Sequence, residues 1–138
     1  MPSPTSNIKQ YTLESSIDSL AKVEQIIESL KEEFKMQDEI FGNILVSISE
    51  AMDNAIKHGN SFNSNKFVEL SFELCEKEYE FTVIDQGSGF DFNNIPDPTH
   101  PDNVEKINGR GVFIMVSLAD KVAYEQGGSK VVLTFNIV

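Results

Sequence analysis

The sequence is short of cysteine and of basic residues, and each shortage narrows the possible functions. A single Cys among 138 residues cannot form an internal disulfide, so a reducing, cytoplasmic location is predicted. Only 11 Lys and Arg stand against 22 Asp and Glu, and the net charge of -11 repels nucleic acid and anionic lipid at long range. Direct binding to nucleic acid is therefore not expected.

Long apolar runs and an export signal are also missing. No apolar run approaches the roughly 18 residues that a membrane helix needs, and residues 1–16 lack the basic-then-apolar pattern of a signal peptide. We therefore expect a soluble protein with no membrane partner. The length of 138 residues and the hydrophobic content of 40% predict one globular domain over residues 1–138.

Hydrophobic spacing predicts the first half of the fold. Weak alternation over Ile8–Glu14 predicts a strand, and an apolar stripe from Ile17 to Phe34 predicts a helix that Ser15 or Ser16 caps. A second stripe from Ile40 to Ile56 predicts another helix, which should end near His58. Gly59 then stands where a left-handed residue commonly ends a helix.

The second half is predicted to be mostly β. Strict alternation predicts strands over residues 68–74 and 79–83 with a hairpin at Glu76 and Lys77, and a last hairpin is expected around Gly127 and Gly128. A Pro-rich, irregular loop and a short helix over residues 112–118 lie between the two hairpins. This order predicts an α/β (α+β) two-layer sandwich, in which helices cover one face of a mixed, mostly antiparallel sheet.

The C-terminal end of the second predicted helix carries the first candidate motif. Glu50 and Asn54 are one helical turn apart, so they lie on the same face. An Asn carbonyl is a hard oxygen ligand suited to Mg²⁺, and a nearby carboxylate can deprotonate a nucleophile. The alternative is a solvated polar face on which Lys57 and His58 suit the helix dipole.

The second motif follows the predicted strand over residues 79–83. Asp85 continues the apolar face of Phe81 and Val83, where an unpaired carboxylate is costly, so it needs a hydrogen-bonding partner. Gly87 and Gly89 allow the backbone to turn or to approach a ligand closely. A bound ligand and a turn capped by Asp85 itself explain the motif equally well.

Glycines that lead into the short helix form the third motif. Gly109 and Gly111 flank Arg110, and a helix N-terminus with a nearby cation suits phosphate. The sequence contains neither the dinucleotide fingerprint Gly-x-Gly-x-x-Gly nor the Walker spacing, which excludes the two familiar phosphate loops.

In this order, the three motifs resemble the N, G1 and G2 boxes of the Bergerat-fold (GHKL-type, histidine-kinase-like) ATPases. The form Glu50-x-x-x-Asn54-Ala-x-Lys57-His58-Gly59 and a short lid at about residues 91–108 are most similar to anti-sigma-factor serine/threonine kinases. The resemblance covers essentially the whole chain, and it implies the Bergerat fold and ATP with Mg²⁺ as cofactors.

The resemblance also implies roles for individual residues. Glu50 is implied as the general base, Asn54 as the Mg²⁺ ligand, Asp85 as the acceptor for the adenine amino group, and Lys57 as a neighbour of the phosphates. The remaining implied nucleotide contacts are Gly87, Gly89, Lys106, Gly109, Arg110, Gly111 and Ser129. Ser129 stands where the family commonly has Thr, and whether Lys106 or Arg110 senses the γ-phosphate stays open.

The implied function is regulation of transcription by partner switching. Such a kinase binds a sigma factor, phosphorylates a STAS-type anti-anti-sigma protein, and commonly forms a homodimer. One alternative is an ATP-binding module that sequesters a partner without phosphoryl transfer. Another is a detached histidine-kinase lobe, although neither His58 nor His100 lies on the first predicted helix.

Overall fold

The computed structural model describes residues 8–60, 63, 65–87 and 114–137 of the chain. The elements follow the predicted order of strand, two helices, two strands, short helix and two strands. They are β1 (Ile8–Glu14), α1 (Asp18–Phe34), α2 (Asp38–Asn54), a π-helical turn (Ala55–Gly59), β2 (Phe67–Cys75), β3 (Glu78–Ile84), α3 (114–118), β4 (Lys121–Glu125), a 3-10 turn (Gln126–Gly128) and β5 (Lys130–Asn136).

The five strands form one sheet in the order β1-β2-β3-β5-β4. All four pairings are antiparallel, so the parallel component of the predicted mixed sheet is not found in the described part of the chain. The two predicted hairpins join β2 to β3 and β4 to β5. Because β5 pairs antiparallel with β3, with Lys130 opposite Ile84, the N-terminal end of β5 lies beside the C-terminal end of β3.

Two helices cover one face of this sheet, as predicted. Helix α1 packs on α2, and α2 contacts β3 and β5. A row of aromatic rings crosses the core beneath them, with centroids 5.0 Å apart between Phe34 and Phe72, 5.0 Å between Phe72 and Phe81, and 6.0 Å between Phe81 and Phe135. The apolar residues that alternate along the strands thus form the inner face of the sheet, and Phe34 of α1 packs against them at Phe72.

The start of α1 differs from the prediction. Neither Ser15 nor Ser16 caps the helix, because the N-cap position is Ile17 and no side chain bonds to its first turn. The helix is instead tied back to β1 through Ser19, whose Oγ donates a 2.6 Å hydrogen bond to the carbonyl of Glu14. Tertiary contact with β1 replaces the local cap.

Several predicted features lie outside the described residues. They are the lid at about 91–108 and the first two residues of the predicted helix 112–118, whose described part is α3. Within the described ranges, no helix has the length and apolar character needed to cross a bilayer.

Candidate functional site

Three segments that are distant in the sequence meet at one end of the sheet. They are the turn that ends α2, the residues that follow β3, and the residues that precede β5. The Asp85 N–H donates to the Ser129 carbonyl at 2.9 Å, and the Gln86 N–H donates to Asn60 Oδ1 at 2.8 Å. The first and second motifs are therefore brought together, with Ser129 beside them.

Glycine is required where the first two motifs touch. A Cβ on Gly59 would overlap the Asp85 carboxylate, and a Cβ on Gly87 would overlap the carbonyl of Gly59. The prediction that Gly59 is left-handed is wrong, because it is the last residue of the π-helical turn and its φ is not positive. Its small size serves close approach between two segments rather than a reversed backbone.

Asp85 lies half-buried against this contact. Its Oδ1 accepts a 2.8 Å hydrogen bond from the Gly87 N–H, so the turn is capped by Asp85 as one sequence interpretation held. Burial raises the pKa of the Asp85 carboxyl, while the Gly87 hydrogen bond and the charge of Lys66 lower it. The net upward pKa shift indicates that burial outweighs the protein groups that stabilise the carboxylate.

Asn54 lies at the end of α2, directly before the π-helical turn. Its Oδ1 is buried and has no hydrogen-bond partner within the described residues. A buried carbonyl oxygen without a partner is unfavourable unless a ligand supplies one. Glu50 lies one turn earlier on the same helix, and both residues are partly buried.

Lys57 is held by an ion pair within its own helix. Its Nζ lies 3.0 Å from Asp53 Oδ1, four residues earlier, and both side chains are partly exposed. This pair is compatible with the alternative interpretation of the motif as a solvated polar face. It also keeps a cation within one turn of Asn54.

Asn60 and Gln86 are components of the site to which sequence reasoning gave no role. The Asn60 side chain is fully buried, and its Nδ2 donates a 3.0 Å hydrogen bond to the Phe67 carbonyl. Gln86 Oε1 accepts a 2.6 Å hydrogen bond from the Phe67 N–H. Asn60 directly follows the first motif and Gln86 lies within the second, but the sequence does not indicate their hydrogen-bond partners.

Ser129 borders the site from the other hairpin. Its hydroxyl donates a 3.0 Å hydrogen bond to the Gln126 carbonyl, and the residue is buried. Gly127 and Gly128 in the preceding turn have φ values of 69° and 103°, which favour glycine. The turn thereby places the carbonyl of Ser129 against Asp85.

The remaining predicted site residues, Gly89, Lys106, Gly109, Arg110 and Gly111, lie outside the described residues. At the opposite end of the sheet, Cys75, Glu78 and Glu80 form a separate cluster whose ligand atoms lie within 4.8 Å of one another. Burial, and then the charges of Glu73, Glu80 and Glu78, raise the pKa of the Cys75 thiol, which disfavours a reactive thiolate there.

Comparison with known proteins gives a family match over almost the whole chain. Residues 13–135 match the family described as Histidine kinase-like ATPase domain. The chain is also similar to Serine-protein kinase RsbW from Staphylococcus aureus strains JH9 and Newman, at 31% identity over 97 residues in each case. Each alignment covers 64% of this chain and 61% of the relative, so the chain spans about three fifths of these relatives' length.

A solved structure shows the same fold. The crystal structure of the RsbU and RsbW domains of Rv1364c from Mycobacterium tuberculosis aligns with a TM-score of 0.68 and 19% identity. That alignment covers 99% of this chain and 33% of the other. The matches confirm the predicted Bergerat fold and the resemblance drawn from the three motifs.

Proposed function

Since this chain belongs to the histidine kinase-like ATPase domain family, we propose that it binds ATP with Mg²⁺ and transfers the γ-phosphoryl group to a serine or threonine of a partner protein. Its likeness to Serine-protein kinase RsbW supports the choice of a hydroxyl acceptor. The single observation that carries the proposal is the contact between the end of α2 and the turn after β3. It brings the helix end that carries Asn54 to the turn that carries Asp85.

The metal side of the site is assigned to α2. The buried Oδ1 of Asn54, without a partner in the described part of the chain, fits a hard cation such as Mg²⁺. When bound, the metal would neutralise charge on the phosphates. Lys57, one turn away, adds a positive charge on the same side.

Glu50 is assigned as the general base. It takes the proton of the attacking hydroxyl as the hydroxyl oxygen bonds to the γ-phosphorus, and the bond to the β-phosphate oxygen breaks to release ADP. Its place one turn before Asn54 puts it on the helix face that the proposal assigns to the phosphates.

The base side of the site is assigned to the turn after β3. Asp85 accepts a hydrogen bond from the adenine 6-amino group, which adds a second hydrogen bond to a carboxylate that burial disfavours. Gly87 and Gly89 let the backbone pass the base, and Ser129 reaches the adenine through water. Lys106, Gly109, Arg110 and Gly111 close a lid over the phosphates at about residues 91–108, with Lys106 or Arg110 sensing the γ-phosphate.

The biological setting is proposed from the family resemblance. The partners are a sigma factor and a STAS-type anti-anti-sigma protein that carries the acceptor hydroxyl. The chain acts as one domain over residues 1–138, in the cytoplasm and as a homodimer. The net charge of -11 is compatible with a basic patch on a sigma factor and unsuited to direct contact with nucleic acid.

Calorimetry of ATP binding with and without Mg²⁺ tests the nucleotide site. Asp85→Asn places an NH₂ group where a carboxylate oxygen stood, and we expect it to weaken ATP binding by about 10- to 100-fold, the effect of losing one buried hydrogen bond. Asn54→Ala should instead abolish the Mg²⁺ dependence. If the folded wild-type protein binds no ATP, the proposal is wrong.

A phosphotransfer assay with a STAS-domain protein separates the kinase from the module that only binds ATP. Glu50→Gln should lower the transfer rate by about 10²- to 10⁴-fold and leave ATP affinity unchanged. A version of the STAS-domain protein with its acceptor serine replaced by alanine is the control. ATP binding with no transfer by the wild type would favour the sequestering module, and phosphohistidine on a partner would favour the histidine-kinase lobe.

A further inference from the structure

A fully buried asparagine joins the turn that ends α2 to the start of β2 and to the turn after β3. Asn60 Oδ1 accepts the Gln86 N–H at 2.8 Å, and Asn60 Nδ2 donates to the Phe67 carbonyl at 3.0 Å. Its backbone N–H donates to the Ala55 carbonyl at 2.8 Å, which closes the π-helical turn. Both ends of this amide are therefore occupied by protein groups, so its role is to hold the site together rather than to bind a ligand.

Gln86 completes a ring of hydrogen bonds with Asn60 and Phe67. The Phe67 N–H donates to Gln86 Oε1 at 2.6 Å, while the Phe67 carbonyl accepts from Asn60. The first residue of β2 is thus held through both its N–H and its carbonyl, and the same two residues link it to the turn that follows β3. We call Asn60 and Gln86, with their bonds to Phe67, the amide clamp.

The amide clamp holds the turn that carries Asp85 from its C-terminal side. Asp85 is fixed to the residue before β5 by the 2.9 Å bond from its N–H to the Ser129 carbonyl. The next residue, Gln86, is fixed by the bond from its N–H to Asn60 Oδ1. Asp85 Oδ1 is committed to the Gly87 N–H, and Gly59 packs against the carboxylate. Within the described residues, Gln86 is held only by the bonds of the amide clamp. Because Gln86 directly follows Asp85, loss of these bonds would let the turn and its carboxylate shift.

We infer that Asn60 and Gln86 are positioning residues that make the site selective for purines carrying a 6-amino group. The inference rests on the proposed function and deepens it: neither residue touches the nucleotide, and both act through Asp85. Discrimination by a hydrogen bond depends on a fixed partner, since a mobile acceptor can turn to water when the donor is missing. Loosening the amide clamp should therefore reduce selectivity more than it reduces binding.

The test compares the dissociation constants of ATP and purine riboside 5′-triphosphate, which lacks the 6-amino group. Gln86→Met removes the acceptor for the Phe67 N–H, while Gln86→Glu keeps it. Because Gln86 is exposed, both variants should fold. We expect the wild type to prefer ATP by at least about 10-fold, Gln86→Met to lose about three-fold or more of that preference, and Gln86→Glu to keep it within about two-fold.

Two further variants sharpen the result. Asn60→Asp keeps the acceptor for Gln86 but loses the donor to Phe67, and it should also lower the preference. Gln10→Met, at an exposed position of the edge strand β1, is the matched control and should leave the preference for ATP unchanged. The preference is the ratio of the dissociation constants of the two nucleotides. A partial loss of folded protein does not change this ratio, because it lowers both apparent affinities equally.

The outcomes separate this inference from the proposed function. If the wild type shows no preference for ATP, the assignment of Asp85 fails and the inference fails with it. If the wild type prefers ATP and both Gln86→Met and Asn60→Asp keep that preference within two-fold, the amide clamp has no positioning role, while the proposed function stands.

Discussion

At the scale of single residues, Asp85 is subject to opposing influences that can be measured. Burial raises the pKa of its carboxyl above the usual 3.8. A carboxyl with a raised pKa in the folded state stabilises the fold at low pH, and this contribution is lost as the pH rises through the folded-state value. Asp85→Asn keeps an oxygen for the Gly87 N–H, so we expect it to raise the melting temperature of the ligand-free protein at neutral pH.

The pH dependence of this gain in melting temperature shows whether the charge of the Asp85 carboxylate causes it. The gain in melting temperature from Asp85→Asn should shrink as the pH falls below 3.8, where the wild-type carboxyl is also neutral. Glu76→Gln, at an exposed position of the β2–β3 hairpin, is the control and should show no such gain at neutral pH. A loss of stability in Asp85→Asn at neutral pH would mean that the Gly87 and Lys66 contributions outweigh burial.

How far single residues can be predicted from sequence depends on how local their partners are. Asp85 could be identified because its alternation with Phe81 and Val83 places a charge on an apolar face, and its hydrogen bond to Gly87 is only two residues away. Asn60 could not be identified in this way, because its partner Gln86 is 26 residues away and no periodicity links the two.

At the scale of elements, α2 and the π-helical turn that continues it each contain a glycine, and the two glycines should respond to alanine in opposite ways. A Cβ on Gly42 meets nothing within 4 Å, so Gly42→Ala should stabilise the protein by about 0.5–1 kcal/mol through helix propensity. A Cβ on Gly59, in the π-helical turn that continues α2, would overlap Asp85, so Gly59→Ala should destabilise by about 1–3 kcal/mol. Urea unfolding of the two variants measures both changes.

The ATP affinity of the same two variants checks the explanation. Gly59→Ala should weaken ATP binding, because it displaces the Asp85 turn, and Gly42→Ala should leave it unchanged. Equal stabilisation by both substitutions would show that the approach of α2 to the turn after β3 is looser than the structure indicates.

Element bounds could be predicted to within a residue or two where periodicity was strong, as in α1 and β2. The contacts that begin and end each helix could not be predicted, because they are made with distant parts of the chain. The start of α1 is tied to β1 through Ser19 rather than capped by Ser15 or Ser16. At the end of α2 the π-helical turn is closed by the bond from the Asn60 N–H to the Ala55 carbonyl, and the Asn60 side chain bonds to β2 and to the turn after β3.

At the scale of the whole molecule, the sheet order was the feature that the sequence pattern could not supply. Local turns predict the two hairpins, but nothing in the alternation says that β5 pairs with β3. That one non-local pairing brings Ser129 beside Asp85. The candidate site could still be predicted in part, because the order of the three motifs carries the family resemblance that geometry alone would not have revealed.

The net charge of -11 gives a last prediction for the whole molecule. ATP is an anion, so the negative charge of the protein slows its approach, and salt screens this repulsion over a Debye length of about 10 Å at 0.1 M. Raising NaCl from about 20 to 200 mM at saturating Mg²⁺ should therefore speed ATP association in stopped-flow measurements. Glu32→Lys with Glu76→Lys, both exposed and far from the site, should raise the low-salt rate and flatten its salt dependence. A rate that falls with salt in both proteins would instead mean that positive charge near the site, rather than the charge of the whole molecule, governs how ATP arrives.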